Sequence, residues 1–233
     1  MQNNINEILT QKIRRDFDQI ALYDQEGWNH NSHYHRFLLK QLPSHCENIL
    51  DIGCGTGALS RLLAQRASRV VAIDLSANMI EIALARSIQH PNIDFQNADI
   101  LNWEFPVEQF DAIVSIATVH HLPLEDLLPS LKAALKPGGK LVILDLLEYE
   151  SIQDKLSDFL AVPLNWIFQT FRNKHKQSPE AAAAMREHLP TDKYLTLSQA
   201  RRIYTKLLNN VKVRKHLFWR YSIVWKKPSL KPM

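Results

Sequence analysis

A glycine-rich turn that follows an apolar stretch constrains this chain more than any other feature. Residues 49–57 read ILDIGCGTG and hold three of the six glycines in the 233 residues. Glycines at alternate positions allow positive φ angles and let a ligand approach the backbone closely. The apolar spacing of residues 58–66 predicts a helix directly afterwards. The unit is therefore strand, turn and helix, and the free N–H groups at the helix start face whatever the turn binds.

A second apolar run, residues 69–73, ends in Asp74. An acidic residue near this spacing from the glycines contacts the ribose hydroxyls in nucleotide-binding α/β units. We therefore expect the ligand to contain adenosine. The pattern Gly53-x-Gly55-x-x-Ala58 also fits the dinucleotide fingerprint, so the glycines alone leave a nicotinamide or flavin protein open.

Asp51, two positions before the first glycine, separates these alternatives. With it, the turn closely resembles that of the class I S-adenosylmethionine-dependent methyltransferase family, whose loop commonly reads L-D-x-G-x-G-x-G. The resemblance covers residues 48–146 by motif and the whole chain by element order. Within the family, the chain is similar to the small-molecule methyltransferases of ubiquinone and menaquinone biosynthesis. The resemblance implies transfer of a methyl group from S-adenosylmethionine to an oxygen, nitrogen or carbon atom, leaving S-adenosylhomocysteine.

Alternating strand and helix patterns predict an α/β fold. We expect a three-layer sandwich around a mostly parallel, seven-strand, Rossmann-like sheet with an antiparallel C-terminal hairpin. Ser198 is the expected N-cap of the last helix. We divide the single methyltransferase domain, 1–233, into an N-terminal helical lid (1–41), a cofactor-binding core (42–148), a helical cap insertion (149–197), and a C-terminal helix and hairpin (198–233).

The resemblance also implies which residues contact the cofactor. Two of these residues have alternative roles. Asp99 is also typical of an aspartate that forms a turn. Cys54 could be a nucleophile, but a small side chain in the glycine turn is explained by packing alone. The implied contacts are Asp51, Gly53, Cys54, Gly55 and Gly57 with the methionine portion, Asp74 with the ribose, Leu75 and Met79 with the adenine face, Asp99 and Ile100 with the adenine edge, and the backbone of Ser115 or Ile116 with the amino-acid moiety.

The exit of the fourth apolar strand bears on the methyl acceptor. Residues 117–123 read ATVHHLP, whereas families that methylate base nitrogens usually carry an Asn/Asp-Pro-Pro-aromatic motif here. This departure disfavours nucleic acid and favours a small-molecule acceptor. His120 or His121 could accept a proton at the carboxyl end of this strand, where open α/β sheets bind ligands. Packing and capping are the alternative roles of both rings.

The segment before the first strand is dense in polar aromatic residues. The resemblance implies that it folds over the cofactor and substrate pocket, and it makes Tyr23 the third catalytic candidate. A surface loop is the equally weighted alternative. The residues that would then lie near the chemistry are Tyr23, His30, Asn31, His33 and Tyr34.

The net charge of +4 hides an asymmetry. Residues 1–169 hold 13 Lys and Arg against 21 Asp and Glu, whereas residues 170–233 hold 15 against 3. The basic final quarter could contact an acidic substrate, an anionic membrane surface or nucleic acid. The alternative is that its Lys and Arg side chains only keep solvent-facing helices and edge strands soluble. No apolar run reaches the roughly 20 residues of a membrane span, and no signal peptide opens the chain, so we expect a cytoplasmic protein. Two cysteines without a Cys/His cluster predict no metal site.

Two other functions stay open. A protein that keeps the fold without catalysis would bind the cofactor without turnover on any acceptor. A nicotinamide-dependent oxidoreductase would be stabilised against heat by NADH rather than by S-adenosylhomocysteine.

Overall fold

The computed structural model describes residues 2–24, 27, 29–148, 150, 180, 183, 188 and 193–229. Most of the predicted cap insertion, 149–197, therefore lies outside the described residues, and the division of the chain into four parts stays a prediction. The described strands are β1 (Cys46–Ile52), β2 (Ala67–Asp74), β3 (Ile93–Asn97), β4 (Phe110–Ile116), β5 (Leu135–Leu146), β6 (Lys212–His216) and β7 (Arg220–Lys226).

These strands form one seven-stranded sheet in the order β3-β2-β1-β4-β5-β7-β6. The pairs among β1 to β5 are parallel, whereas β7 runs antiparallel to both β5 and β6. The predicted α/β fold with its antiparallel hairpin is confirmed. The described helices are α1 (Gln2–Ala21), α2 (His35–Gln41), α3 (Ala58–Ala64), α4 (Ala77–Arg86), α5 (Leu124–Ala134) and α6 (Leu197–Leu207).

The central strands are apolar on both faces because helices cover both faces of the sheet. On β1, the fully buried Leu50 faces α5 and α6, whereas its neighbour Ile49 faces α2 and α3. This alternation follows from the strand geometry, in which successive side chains point to opposite faces. The result is a three-layer sandwich, in which the carboxyl ends of the five parallel strands lie along one edge.

The start of α6 differs from the prediction. Thr196, not Ser198, is the N-cap, because its hydroxyl accepts a hydrogen bond from the Gln199 N–H at 3.3 Å while the Gln199 side chain accepts from the Thr196 N–H at 3.0 Å. This reciprocal capping box satisfies two backbone donors, which a cap at Ser198 would leave unpaired. Ser198 instead donates to Glu150.

Strand β5 begins earlier than its apolar run suggests. The sequence predicts a Pro-Gly-Gly turn before a strand at Lys140, but the strand already pairs with β4 at Leu135. Beyond the end of β7, the Gly138 N–H donates to the Lys227 carbonyl at 3.0 Å and the Lys227 N–H donates to the Gly139 carbonyl at 2.8 Å. These bonds explain the longer strand, since the glycine backbone finds its partners across the sheet.

The N-terminal segment packs over the carboxyl edge of the sheet. In α1, Asp18 accepts a hydrogen bond from the Ser76 hydroxyl at 2.6 Å, and its carbonyl accepts one from the Asn78 side chain at 3.1 Å, both at the start of α4. After α1, Asp24 forms an ion pair with Arg86 at 2.5 Å. Helix α1 is therefore tied to both ends of α4.

The segment that follows α1 contacts the tip of the C-terminal hairpin. The Tyr34 hydroxyl donates to the Leu217 carbonyl at 2.8 Å, and the His30 ring stacks on Phe218 with centroids 4.9 Å apart. Phe218 and Trp219 have φ angles of +57° and +54°. This left-handed conformation is strained for bulky residues, so the contacts with the N-terminal segment help to hold it.

Candidate active site

The glycine turn has the geometry that its sequence predicts. Gly53, Gly55 and Gly57 have φ angles of +70°, +52° and +78°. A Cβ atom on Gly53 would lie 2.0 Å from Thr118 Oγ1, so this position excludes any side chain. A Cβ atom on Gly55 would meet nothing within 4 Å. The turn therefore has open space beside Gly55, where a ligand can approach the backbone.

Asp74 is fixed against this turn at the carboxyl end of β2. Its Oδ2 accepts a hydrogen bond from the Gly55 N–H at 2.8 Å, and its Oδ1 accepts one from the Ser76 N–H at 2.9 Å. Burial raises the pKa of Asp74, and these backbone hydrogen bonds oppose the shift. The carboxylate is thus oriented beside the turn, as ribose binding requires, and the ribose contact itself stays a prediction.

Asp51 is the most deeply buried acid of the turn, with 2% of its surface exposed. Its Oδ2 accepts a hydrogen bond from the Ser60 hydroxyl in α3 at 2.6 Å. Burial raises the pKa of Asp51 to about 7, Ser60 opposes this shift, and the charge of Asp74 adds to it. Ionising this carboxyl is therefore costly unless a cation binds beside it.

A cavity of about 280 Å³ lies between the glycine turn and the segment that follows α1. It brings together six of the residues that the sequence implicates, which are Asn31, Asp51, Gly53, Cys54, Gly55 and Ile116. Polar residues of the N-terminal segment form the opposite wall, which supports the prediction that this segment covers the pocket. The lining residues are Asp24, Gly27, Asn29, Asn31, Ser32, His35, Asp51, Gly53, Cys54, Gly55, Thr56, Ala58, Leu59 and Ile116.

Two cavity residues lose their ionised forms through burial. Burial raises the pKa of the Cys54 thiol well above its ordinary value, so the thiol stays protonated and is a poor nucleophile. Burial and the nearby Arg61 lower the pKa of His35 to about 4, so this imidazole is neutral at physiological pH. Sequence reasoning missed His35, which follows directly on the polar aromatic segment that signalled the lid.

The residues assigned to adenine lie outside this cavity. Met79 and Ile100 are buried, and Leu75 is half-buried directly after Asp74. The Asp99 carboxylate accepts hydrogen bonds from the Leu101 N–H and the Asn102 side chain, both at 3.0 Å. Asp99 thus forms the turn that was its alternative role, and its contact with adenine stays a prediction.

Ser115 and Gly57 have structural contacts within the turn region. The Ser115 hydroxyl, buried in β4, donates to the Ile52 carbonyl of β1 at 2.9 Å. The Gly57 N–H donates to the Cys54 carbonyl at 3.0 Å and caps the turn at the start of α3. The first contact holds β4 to the last residue of β1 beside the turn, and the second closes the turn itself.

The first histidine after β4 is paired with a carboxylate. The Nδ1 atom of His120 lies 2.6 Å from Asp145 Oδ1, and the two side chains are only 4% and 1% exposed. Asp145 lies near the end of β5, the neighbour of β4, so the sheet itself brings the two residues together. Sequence reasoning missed this role of Asp145, although an acid that closes an apolar strand was also the signal at Asp51 and Asp74.

His121 lies in a different environment. Its ring packs against Phe17 of α1 at 5.8 Å and against His188 at 5.2 Å. Burial is the main cause that lowers the pKa of His121 to about 3, and the neighbouring His120 and His188 add to the shift. The Nδ1 atom of His188 in turn lies 3.1 Å from Asp16 Oδ2. This cluster joins α1 to the segment after β5.

Tyr23, the third catalytic candidate, follows α1 and is 37% exposed. It is not among the described residues that line the cavity, so its catalytic role stays a prediction. In the part of the chain that the structure describes, no group of three or more His, Cys, Asp or Glu side chains could hold a metal ion. None of the described helices is long and apolar enough to cross a bilayer.

Comparison with known proteins gives a consistent family. A family model described as a methyltransferase domain matches residues 49–139. An uncharacterized methyltransferase of Mycobacterium bovis is 31% identical over 204 residues, which cover 87% of this chain and 98% of that protein. A demethylmenaquinone methyltransferase of Tropheryma whipplei is 33% identical over 143 residues, or 58% of this chain and 59% of that protein.

Among solved structures, an N-methyltransferase of Bradyrhizobium japonicum in complex with S-adenosylhomocysteine has the same fold. Its TM-score is 0.62 at 19% identity, and the match covers 95% of this chain and 99% of that one. The order of the strands, the geometry of the glycine turn and the near-complete match to the mycobacterial relative agree. The chain belongs to the class I S-adenosylmethionine-dependent methyltransferase family.

Proposed function

We propose that this protein transfers the methyl group of S-adenosylmethionine to a small molecule whose nucleophilic atom carries a proton, and that His120 accepts this proton. The observation that carries the proposal is the 2.6 Å contact between His120 and Asp145 at the carboxyl edge of β4 and β5. A relative named for demethylmenaquinone supports a small-molecule acceptor rather than nucleic acid. A cytoplasmic location stays a prediction from the sequence.

The residues of the cavity suit the methyl donor. When bound, S-adenosylmethionine supplies an activated methyl group, and its transfer breaks the methyl carbon–sulfur bond and leaves S-adenosylhomocysteine. Asp51 lines the cavity and in its ionised form complements the positive ammonium group of this cofactor, and Gly55 leaves the backbone accessible. Asp74, held by two backbone N–H groups, is oriented to accept hydrogen bonds from the ribose.

The pair of His120 and Asp145 is suited to remove a proton. When Nδ1 carries a hydrogen and donates it to Asp145 Oδ1, the lone pair of the neutral ring lies on Nε2. Nε2 then accepts the proton of the acceptor while the acceptor atom bonds to the methyl carbon. The carboxylate of Asp145 stabilises the imidazolium that results.

His121 is the weaker candidate for the same role. With a pKa lowered to about 3, it binds a proton poorly at physiological pH, whereas a general base works best with a pKa near the working pH. Its ring contacts with Phe17 and His188 instead indicate that it packs α1 against the site. We therefore assign the role of general base to His120, and to His121 the role of packing α1 against the site.

The test is a screen for the acceptor with matched variants. Purified protein is incubated with S-adenosylmethionine and metabolite extracts, and release of S-adenosylhomocysteine is measured. Once an acceptor is found, His120→Ala should lower turnover about 10²–10⁴-fold, because proton removal is lost, while binding of S-adenosylhomocysteine stays the same. His45→Ala is the control, because His45 is exposed at the opposite edge of the sheet, before β1.

Two results would contradict the proposal. Cofactor binding without turnover on any extract would indicate a binding protein that has lost catalysis. A loss smaller than about tenfold in His120→Ala would show that alignment of the two substrates suffices without a base.

A further inference from the structure

Arg220 is a buried cation near the carboxyl ends of the parallel strands, where the candidate site lies. It is the first residue of β7 and pairs with Leu146 of β5, so it lies at the carboxyl ends of the parallel strands. Only 6% of its surface is exposed. An arginine at this depth keeps its charge, because its pKa is too high for deprotonation in a protein.

The hydrogen bonds of Arg220 do not neutralise this charge. One terminal nitrogen donates to the Phe218 carbonyl at 3.0 Å, and the other donates to Asn31 Oδ1 at 2.9 Å. Among the described residues, Nε has no hydrogen-bond partner, and no carboxylate lies within ion-pair distance of the guanidinium. Burial lowers the pKa of Arg220, and the more distant Asp145 and Tyr34 offset this only in part.

A buried charge of this kind normally has an anionic partner. Asn31, which accepts from Arg220, also lines the 280 Å³ cavity. The described lining of that cavity contains the acids Asp24 and Asp51 but neither lysine nor arginine. Arg220 does not itself line the cavity, but Asn31 links it to the lining, and among the described residues it is the Arg or Lys side chain that is less than a tenth exposed.

We propose that Arg220, positioned by Asn31, is a binding subsite for a carboxylate group. The Nε–H and the remaining N–H groups of the guanidinium present a fork that matches the two oxygens of a carboxylate. A single guanidinium balances one negative charge, which favours a carboxylate over a doubly charged phosphate. The carboxylate belongs to the methionine portion of the cofactor or to the methyl acceptor. This inference rests on the proposed function, since both ligands belong to that reaction.

The first experiment tests the cofactor as the source. Calorimetry measures the affinity of wild type and Arg220→Gln for S-adenosylhomocysteine and for 5′-methylthioadenosine, which lacks the amino-acid portion. If Arg220 holds the cofactor carboxylate, the variant should lose about tenfold or more with S-adenosylhomocysteine, or about 1.4 kcal/mol, and nothing with methylthioadenosine. Arg214→Gln is the control, because Arg214 is exposed on the same hairpin.

The second experiment tests the acceptor as the source. Benzoate is titrated into protein saturated with S-adenosylhomocysteine. Binding to wild type and Arg214→Gln but not to Arg220→Gln would place the acceptor carboxylate at Arg220. Arg220→Lys keeps the charge without the fork and should bind the relevant carboxylate with intermediate affinity. This variant replaces Arg220→Gln if thermal unfolding shows that the glutamine variant does not fold.

Two outcomes would overturn the inference. Equal losses for S-adenosylhomocysteine and methylthioadenosine would show that Arg220 acts only on the structure. No effect of Arg220 on either S-adenosylhomocysteine or benzoate would show that no carboxylate binds there. If either outcome is found while the wild-type protein binds S-adenosylhomocysteine, the proposed function still stands. If the wild-type protein does not bind S-adenosylhomocysteine, both the proposed function and the carboxylate subsite are contradicted.

Discussion

Lowering the pH from 8 to 5 should weaken the binding of S-adenosylhomocysteine by about a hundredfold, and Asp51 is the cause. The pKa of Asp51 is raised to about 7 in the protein without ligand. If the ammonium group of the ligand pairs with ionised Asp51, affinity follows the ionised fraction of this carboxyl. Two pH units below its pKa, only about one carboxyl in a hundred is ionised, so affinity should fall about tenfold per unit below pH 7 and level off above it.

The same shift has a consequence for stability. Because the folded pKa is raised from 3.8, the contribution of Asp51 to stability is complete below pH 3.8 and is lost as the pH rises through about 7. At about 1.36 kcal/mol per pKa unit, the loss amounts to at most about 4 kcal/mol at pH 8. Asp51→Asn, which keeps the shape without the charge, should therefore raise the melting temperature at pH 8 while it abolishes the pH dependence of ligand binding.

Calorimetry at pH 5, 6, 7 and 8 checks this, with circular dichroism at each pH to confirm the fold. Asp111→Asn is the matched control, because Asp111 lies at the opposite end of β4 and accepts hydrogen bonds from the Glu47 and Asn48 N–H groups. This variant should keep the wild-type pH profile of binding. Equal affinity at pH 5 and 8 in wild type, or an unchanged profile in Asp51→Asn, would refute the assignment of the ammonium to Asp51.

Further predictions concern the turn, the histidine cluster and the lid. Asp74→Ala should weaken S-adenosylhomocysteine binding about tenfold or more, because charge-assisted bonds to the ribose are lost; the protein should stay folded with a lower melting temperature, because the Gly55 and Ser76 N–H groups lose their acceptor, and unchanged affinity in calorimetry would rule out the ribose contact. Gly53→Ala should destabilise the protein by at least about 1–3 kcal/mol more than Gly55→Ala in chemical denaturation, since only the first substitution collides with a neighbouring side chain. The pKa of His121 is lowered to about 3, so the wild type should lose up to about 2 kcal/mol between pH 6.5 and 5 as the unfolded chain takes up a proton, and His121→Phe should flatten this loss in acid unfolding. Ligand should slow hydrogen exchange in residues 1–35 more than in the C-terminal hairpin, and equal rates with and without ligand would show that the segment is not a lid.

The parts of the fold that follow from local patterns could be predicted from the sequence. The apolar runs and the glycines specified β1, β2 and the turn between them, since glycine is the residue that adopts the positive φ angles seen at Gly53 and Gly55 without steric cost. Element boundaries were less certain, as at Thr196, because a capping box depends on which of several polar side chains reaches the backbone.

The remaining site residues depend on contacts between distant parts of the chain. Asp145 meets His120 only because β4 and β5 are neighbours in the sheet, 25 residues apart in sequence. Arg220 looks like one more residue of a basic strand until its burial is known. Sequence patterns report the residue type at each position, whereas burial and pairing across the sheet decide its electrostatics.

The contacts between the N-terminal segment and the hairpin tip also affect how the protein is made. Tyr34 and Leu217 are 183 residues apart, and Asn31 and Arg220 are 189 apart. A ribosome has therefore produced the whole parallel sheet and its glycine turn before these contacts can form. Because domains fold during synthesis from their N-terminal end, we expect the nascent chain to expose the inner surface of the lid until the hairpin emerges. Protection of this surface would then depend on β6 and β7, which are translated long after it.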